Sequence, residues 1–289
     1  MARTRGPSRP PAERVRDRVR RTAGAEVAAA LPDGYQRLGR VLVLRLPSRL
    51  APHFADIGRA WQDELGVATV LVRTGPISGE LREPTVVRVA GDATETEVVE
   101  HGVRWRFDAA RLMFAAGNRS ERARIGRIVR PAERVVDLFA GIGYFTIPAA
   151  RAHASVRVVA VEKNPVAYGY LLENVRRNGV VDRVDARLGE NREVDLPPGS
   201  ADRVLLGFLP DAIPWVGRAL SVVRPEGGWL HVHTVADAHG AREHAASDVA
   251  RAVARAGGEV ASAPTAREVK PYGPGRTHVV VDVRVRPPP

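Results

Sequence analysis

The chain of 289 residues contains no cysteine, which excludes disulfide bonds and thiolate metal sites. Aromatic residues make up only 5% of it, and no apolar run reaches the roughly 18 residues that a membrane-spanning helix needs. The first residues, MARTRGPSRPPAERVRDRVRR, lack the apolar core of a signal peptide. These absences predict a cytoplasmic protein that makes no membrane contact.

Lysine is also scarce, since only Lys163 and Lys270 stand among 44 lysines and arginines. The arginine excess gives a net charge of +11 and an isoelectric point of about 11.0. Such a balance favours a polyanionic partner such as nucleic acid, or a negatively charged small substrate. The richness in arginine and alanine is typical of a GC-rich, bacterial genome.

Periodicity divides the chain into three predicted segments. The first is rich in proline and arginine, so we expect disorder to about residue 12 and then a basic helix over 13–30. The second holds short apolar runs and an amphipathic helix over 50–65, which predicts a small α+β domain. The third alternates strands and helices, which predicts a parallel sheet, and its PYGPG turn predicts an antiparallel C-terminal hairpin. The segments are 1–32, 33–110 and 111–289.

A glycine-rich turn in VVDLFAGIGYFTIPAA, residues 135–150, joins a strand to a helix. Gly141 and Gly143 let the backbone press against a ligand, and the helix N-terminus offers unpaired N–H groups. Asp137 ends this strand, and the next strand, VRVVAVE, ends in Glu162, where a carboxylate can accept ribose hydroxyls. The turn lacks the glycine spacing of dinucleotide sites and the Gly-Lys-Ser/Thr of triphosphate sites. The pattern therefore favours S-adenosylmethionine over NAD or ATP.

Strand ends in the third segment supply the remaining candidate contacts to this cofactor. Backbone groups around the glycine turn would hold the methionyl end, Glu162 the ribose, and Glu190 with Asn191 the adenine edge, although Gly-Glu-Asn is also a plain turn. Gly207 follows the fourth strand, at the sheet edge where substrates bind. The expected cofactor-binding residues are Asp137, Phe139, Ala140, Gly141, Gly143, Glu162, Lys163, Glu190, Asn191 and Gly207.

His231 and His233 alternate along WLHVHTV, so both side chains point to one face of a strand. Two histidines suggest a metal site, but no third ligand has a suitable spacing. We therefore expect no bound metal and interpret the pair as strand-end histidines.

Seven blocks along the chain resemble one known family. They resemble the wybutosine-synthesising tRNA 3-amino-3-carboxypropyl transferases and their siblings, the tRNA guanine-N1 methyltransferases, and LVRTGPISGELREP resembles the small domain that both groups share. The resemblance implies a class I S-adenosylmethionine-dependent methyltransferase (Rossmann-like) α/β fold preceded by a small α+β domain. The blocks are FAAGNRSERARIGRIV, VVDLFAGIGYFTIPAA, VEKNPVAYGYLLENVRRNGV, GENREV, DRVLLGFLP, LHVHTV and VKPYGPGRTHVVVDVRV.

Departures from the methyltransferase siblings point to the aminocarboxypropyl branch. The siblings carry an arginine where this chain has Gly117-Asn118 and an asparagine where it has Gly207. The resemblance carries cofactor contacts over to Arg122, Glu162, Glu190 and Asn191, with Arg122 expected to hold the methionyl carboxylate. Ala115 replaces a serine of the archaeal members, and Glu190 replaces an aspartate.

The implied reaction is nucleophilic attack on the γ-carbon of S-adenosylmethionine, which releases 5′-methylthioadenosine. The acceptor is either a tRNA base beside the anticodon or a small molecule, such as the phenol of a nocardicin-type β-lactam in antibiotic biosynthesis. A phenol would need a base, for which Glu190, Asp211 and His233 are candidates. A tRNA guanine-N1 methyltransferase and a non-catalytic RNA-binding module stay as alternatives.

Overall fold

The computed structural model describes residues 9–77 and 79–288, and the chain divides into two compact units. The smaller unit runs to Val99 and includes Arg106–Phe114, and the larger holds Glu100–Trp105 and everything from Ala115 onward. The disorder predicted for residues 1–8 lies outside the described residues. The division at residues 32 and 110 stays a prediction.

The smaller unit contains a four-stranded sheet in the order β1-β2-β3-β4, with β2 parallel to β3 and the other pairs antiparallel. Apolar residues of its helices pack on one face of this sheet, among them Val15, Ile57 and Trp61. The short strand β1 was not predicted. The elements are α1 (Pro11–Ala23), α2 (Ala25–Ala29), β1 (Tyr35–Leu38), β2 (Val41–Arg45), α3 (Phe54–Leu65), β3 (Thr69–Arg73) and β4 (Val86–Ala90).

The single helix predicted over 13–30 is wrong in its bounds. Helix α1 already begins at Pro11, because a proline in the first turn has a suitable fixed φ and needs no hydrogen bond there. Gly24, with φ of 96°, then ends α1 before α2 begins. The amphipathic helix predicted over 50–65 is confirmed as α3, although Ser48–His53 forms a 3-10 helix ahead of it.

The alternating segment VVEHGVRWRFD forms a hairpin. Strands β5 (Glu95–Glu100) and β6 (Val103–Asp108) make a two-stranded sheet. His101 and Gly102 turn between them with φ of 50° and 74°.

The larger unit is built on an eight-stranded sheet in the order β12-β14-β11-β10-β7-β8-β9, and β13 also pairs with β14. Strands β7 to β11 are parallel, whereas β14 runs antiparallel to β11 and to β13. The predicted Rossmann-like sheet with a C-terminal hairpin is confirmed. The elements are α4 (Arg119–Ile128), β7 (Arg134–Asp137), α5 (Thr146–Ala152), β8 (Arg157–Glu162), α6 (Pro165–Arg177), β9 (Val184–Leu188), β10 (Arg203–Leu206), α7 (Val216–Val222), β11 (Gly228–Asp237), α8 (Ala241–Arg255), β12 (Glu259–Val260), β13 (Thr265–Gly273) and β14 (Arg276–Arg286).

The two faces of β11 and β14 differ in polarity. Alternate valines of β14, such as Val279 and Val281, pack with residues of α7 and α8 in the apolar core. Because side chains alternate across a strand, His278 and Asp282 lie on the opposite face, where they meet the histidines of β11. The sheet therefore buries polar side chains along one of its faces.

Within the described part of the chain, no helix is both long enough and apolar enough to cross a membrane.

Candidate functional site

The glycine turn after β7 has a backbone that only glycine adopts easily. Gly141 and Gly143 have φ of 57° and 96°, and a Cβ at Gly141 would lie 2.7 Å from the ring of Tyr144. The turn is tied down from both sides, because the Ala140 amide donates to the Val161 carbonyl at 2.9 Å. The buried amide of Asn174 donates to the Ile142 carbonyl at 3.1 Å. The loop is thus held in one conformation, in which the Gly141 amide donates to Glu162 and the Gly143 amide to the Ala140 carbonyl.

Asp137 lies fully buried at the end of β7. Its carboxylate accepts hydrogen bonds from the Thr146 hydroxyl at 2.8 Å and from the Phe139 amide at 3.3 Å. Burial raises the pKa of Asp137 to about 6, and the Thr146 hydrogen bond opposes that rise. These contacts fix the carboxylate directly beneath the glycine turn.

Glu162 stands at the end of β8, next to the same turn. One carboxylate oxygen accepts from the Gly141 amide at 2.6 Å, and the other from the Asn164 amide at 2.7 Å. Burial raises the pKa of Glu162. A carboxylate can accept about four hydrogen bonds, and the Gly141, Asn164 and Lys163 amides take three of them, so capacity for a ribose hydroxyl remains. Helix α6 does not depend on this carboxylate as its cap, because Asn164 accepts from the Val166 amide at 2.9 Å.

Glu190 and Asn191 follow β9. The Glu190 carboxylate pairs with Lys163 at 2.8 Å. Asn191 is only 4% exposed and donates to the Leu138 carbonyl at 3.3 Å. Its Oδ1 is buried and has no hydrogen-bond partner among the described residues. An orphaned buried acceptor costs on the order of 1–3 kcal/mol, so the site suits a ligand with an N–H donor, such as an adenine amino group.

Arg122 of α4 is buried, and its guanidinium is engaged within the larger unit. Nη2 and Nε bond one oxygen of Glu100 at 2.6 and 3.0 Å, and Nη1 donates to the Ala115 carbonyl at 3.0 Å. The guanidinium also lies 5.4 Å from the ring centroid of Trp105. These contacts hold the residues ahead of α4, and a bond from Arg122 to a methionyl carboxylate stays a prediction.

Aromatic rings line the edge of the sheet beyond β10. A Cβ at Gly207 would lie 2.9 Å from the ring of Phe145, so this ring occupies the space that a larger residue would need. Phe139 packs against Phe208 at 5.1 Å and against Trp215 at 5.2 Å between centroids. The edge therefore offers an apolar wall beside the glycine turn.

His233 of β11 faces His278 of β14, with 2.9 Å between Nδ1 of His233 and Nε2 of His278. The ring of Phe145 lies 5.0 Å from that of His233. Burial lowers the pKa of both histidines to about 3, so both are neutral at physiological pH. Nδ1 of His278 is buried without a partner among the described residues. Sequence reasoning missed His278, because nothing in the spacing links two histidines 45 residues apart.

His231 belongs to a separate network of charges. Its Nδ1 lies 2.6 Å from Asp282, which also accepts from Arg124 at 2.8 Å and from Arg267. Burial lowers the pKa of His231, and the hydrogen bond to Asp282 opposes this. Over residues 9–77 and 79–288, no group of three or more histidine or acidic side chains is arranged to hold a metal ion.

The three candidate bases lie at different places along the sheet. Glu190 follows β9, four strands from His233 in β11, which corresponds to roughly 19 Å at the usual strand spacing. Asp211 accepts from the Ile213 amide and the Thr234 hydroxyl, each at 3.0 Å. Asp211 therefore shapes the chain after β10, near His233, whereas Glu190 lies on the opposite side of the glycine turn.

Comparison with family models gives two matches. The TRM5/TYW2 methyltransferase domain matches residues 96–261, and the TYW2 N-terminal domain matches residues 15–94.

Individual proteins are similar over nearly the whole chain. A tRNA(Phe) (4-demethylwyosine(37)-C(7)) aminocarboxypropyltransferase of Pyrococcus horikoshii is 35% identical, over 94% of this chain and 96% of its own. The crystal structure of P. horikoshii TYW2 in complex with MeSAdo matches with a TM-score of 0.82 and 31% identity, over 95% of this chain and 99% of that one. M. jannaschii TYW2 in complex with AdoMet matches with a TM-score of 0.71 and 30% identity, over 88% and 100%.

Proposed function

The chain belongs to the TRM5/TYW2 methyltransferase family, and on that premise we propose that it transfers the 3-amino-3-carboxypropyl group of S-adenosylmethionine to a tRNA base. The similar P. horikoshii enzyme is named for this group and for a base of tRNA(Phe), and related structures hold AdoMet or MeSAdo. The net charge of +11 suits a polyanionic acceptor. On this proposal the protein works in the cytoplasm, where it meets tRNA.

The residues at the ends of β7, β8 and β9 fit S-adenosylmethionine. Glu162 would accept the ribose hydroxyls with the lone pairs that its backbone partners leave, and the orphaned Oδ1 of Asn191 would accept from the adenine amino group. Asp137 and the backbone of Gly141 and Gly143 would lie along the methionyl end. Phe139, Ala140, Lys163, Glu190, Gly207 and Arg122 complete the proposed cofactor set.

The chemistry needs alignment more than covalent help. A bond forms from the acceptor to the methionyl γ-carbon as the carbon–sulfur bond breaks, and the sulfur keeps the electron pair in methylthioadenosine. The sulfonium is already a good leaving group, so holding acceptor, carbon and sulfur in line supplies much of the acceleration. The tied glycine turn and the apolar wall of Phe139 and Phe145 would provide that alignment and exclude water.

The packing at Gly207 is the observation that favours this transfer over methyl transfer. The tRNA guanine-N1 methyltransferases that this chain resembles carry an asparagine at this position and an arginine at the position of Gly117-Asn118. Here the ring of Phe145 fills the space beside Gly207, and the Lys270 side chain lies 2.7 Å from where a Cβ of Gly117 would stand. Lys270 is flexible and can move, but Phe145 is buried and packs on His233. The acceptor side is thus built without the groups that serve methyl transfer.

The neutral pair of His233 and His278 can serve a ring carbon of tRNA, which needs no deprotonation before it attacks. Attack by a ring carbon leaves a cationic adduct, which loses its proton even to a weak base. A phenol must lose a proton with a pKa near 10 to become nucleophilic, and histidines of lowered pKa are poor bases for that task. We therefore propose His233, with His278, as the proton acceptor, ahead of Asp211 and Glu190.

Transfer of label tests the proposed function. S-adenosylmethionine labelled at its carboxyl carbon is incubated with the protein and tRNA(Phe) whose base 37 is 4-demethylwyosine, and in parallel with a phenolic β-lactam. We expect carboxyl label in the tRNA alone. Label only in the phenol would show that the acceptor is a small molecule. Label in neither compound, despite tight binding of RNA, would favour a non-catalytic RNA-binding module.

A further inference from the structure

Two arginines lie side by side at the ends of neighbouring strands in the small sheet. Arg45 ends β2 and Arg73 ends β3, and they are partners in the parallel register. Neighbouring strands lie about 4.8 Å apart, and partners in register point to the same face. That face is opposite the helices, because Leu44 and Val72, which precede the arginines, pack in the core beneath α1 and α3.

This pair of positive charges has no compensation in the free protein. In the part of the chain that the structure describes, neither guanidinium has a carboxylate within ion-pair distance, and the buried Nε of Arg73 has no hydrogen-bond partner. Burial, and then the charge of Arg45, lowers the pKa of Arg73. Other arginines of the same unit do find acids, such as Arg14 with Glu64. Like charges placed directly opposite each other on a sheet destabilise it.

The pair opens onto a concave space. Arg45, Arg73, Gln36 and Val43 line a cavity of about 380 Å³. A cavity with a buried, unpartnered guanidinium N–H and two adjacent positive charges is suited to an anion with several acceptor oxygens. Guanidinium groups bind phosphate through paired, charge-assisted hydrogen bonds.

We propose that this cavity binds a backbone phosphodiester of the RNA acceptor, at a distance along the chain from the transferase site. The inference rests on the proposed function, because tRNA is the polyanion that a protein of net charge +11 would act on. The stability lost through two uncompensated arginines would be recovered when a phosphate neutralises them. Such a contact would position the RNA without reading its sequence.

Salt-dependent binding of tRNA tests the site. Three variants of the full chain are compared with the parent by fluorescence anisotropy: Arg45→Gln, Arg73→Gln and the double variant. The matched control is Arg59→Gln, which removes the same charge from an exposed position of helix α3, on the other face of the sheet, where Arg59 pairs with Asp56. We expect each single variant to bind tRNA about tenfold more weakly. We expect the double variant to lose about one unit of the slope of log K against log salt, and the control to lose neither.

Two further measurements, thermal unfolding and binding of free anions, distinguish loss of the site from misfolding and from binding of a free nucleotide or phosphate. Relief of the arginine repulsion should leave the Tm of Arg73→Gln at or above that of the parent, so weakened RNA binding would not reflect misfolding. Equal RNA binding by parent and double variant, with label transfer intact, would overturn the site and leave the proposed function standing. A parent that does not bind tRNA would overturn both. Binding of millimolar 5′-AMP or inorganic phosphate by the parent but not by the double variant, while both proteins bind tRNA equally, would assign the cavity to a free nucleotide or phosphate instead.

Discussion

The two halves of the large sheet's carboxyl edge are built in different ways. At the ends of β7 and β8, two carboxylates accept hydrogen bonds from residues that follow them closely in the chain. Asp137 accepts from the Phe139 amide and the Thr146 hydroxyl, and Glu162 accepts from the Asn164 amide. At β10, β11 and β14, the contacts join residues far apart in the chain, as in Phe145 with His233 and His233 with His278. Recognition of the cosubstrate is thus a matter of local motifs, whereas the acceptor side depends on long-range packing.

Substitution of Glu162 tests the cosubstrate half and should have the largest effect. Glu162→Ala removes the acceptor of the Gly141 and Asn164 amides and of the proposed ribose hydroxyls. We expect a loss of about 3 kcal/mol, near a hundredfold, in S-adenosylmethionine affinity by calorimetry. Glu259→Ala, the control at an exposed ion pair with Arg286 on β12 at the other end of the sheet, should lose none of this affinity. If Glu162→Ala bound as tightly as the parent, the ribose assignment would be wrong.

Stability against pH tests the histidine pair of the acceptor half. Their folded pKa values of about 3 lie below the ordinary 6.5, so the unfolded chain binds more protons between these values. Stability therefore falls as pH drops through that window, by about 2 kcal/mol per histidine between pH 7 and 5.

A variant isolates this contribution. His278→Asn should show a shallower loss in urea unfolding between pH 7 and 5, while the two proteins run parallel from pH 7.5 to 8.5, where histidine is neutral in both states. Identical slopes at low pH would show that His278 is not held neutral in the fold.

Substitution of Asn191 should have the smallest effect, and it tests whether this residue contacts the adenine of the cosubstrate. Asn191→Ala removes the orphaned Oδ1, and we expect about 1 kcal/mol of S-adenosylmethionine affinity to be lost. An analogue with hypoxanthine in place of adenine lacks the amino group, so parent and variant should bind it alike. A variant that weakens both ligands equally would place Asn191 in the structure of the loop and not at the adenine edge.

The difference between the halves also explains what the sequence could predict. The turn at Gly141 and the strand-end Glu162 follow one another within some 25 residues, so their spacing alone predicts a shared pocket. The pairing of β13 with β14 follows from the PYGPG turn signal, so the mostly parallel sheet with its antiparallel C-terminal hairpin was also predicted.

Long-range partners escaped prediction for a physical reason. Alternation along WLHVHTV assigns His233 to a face, but the partner on that face is set by the register of β14, which no local signal fixes. Likewise, Glu100 as the partner of Arg122 was not foreseen, and this pair leaves the methionyl role of Arg122 a prediction. The arginines that end VLVLR and TVLVR were a visible signal, since two neighbouring strands that end alike bring the same charge together.

The coproduct of turnover tests the central claim most directly. The packing of Phe145 beside Gly207 leaves the acceptor side without the groups of the methyltransferase siblings, so the γ-carbon and not the methyl group should be transferred. Chromatography of a reaction with S-adenosylmethionine and the 4-demethylwyosine tRNA should show 5′-methylthioadenosine in proportion to modified RNA. S-adenosylhomocysteine in that proportion would contradict the account and assign the chain to methyl transfer.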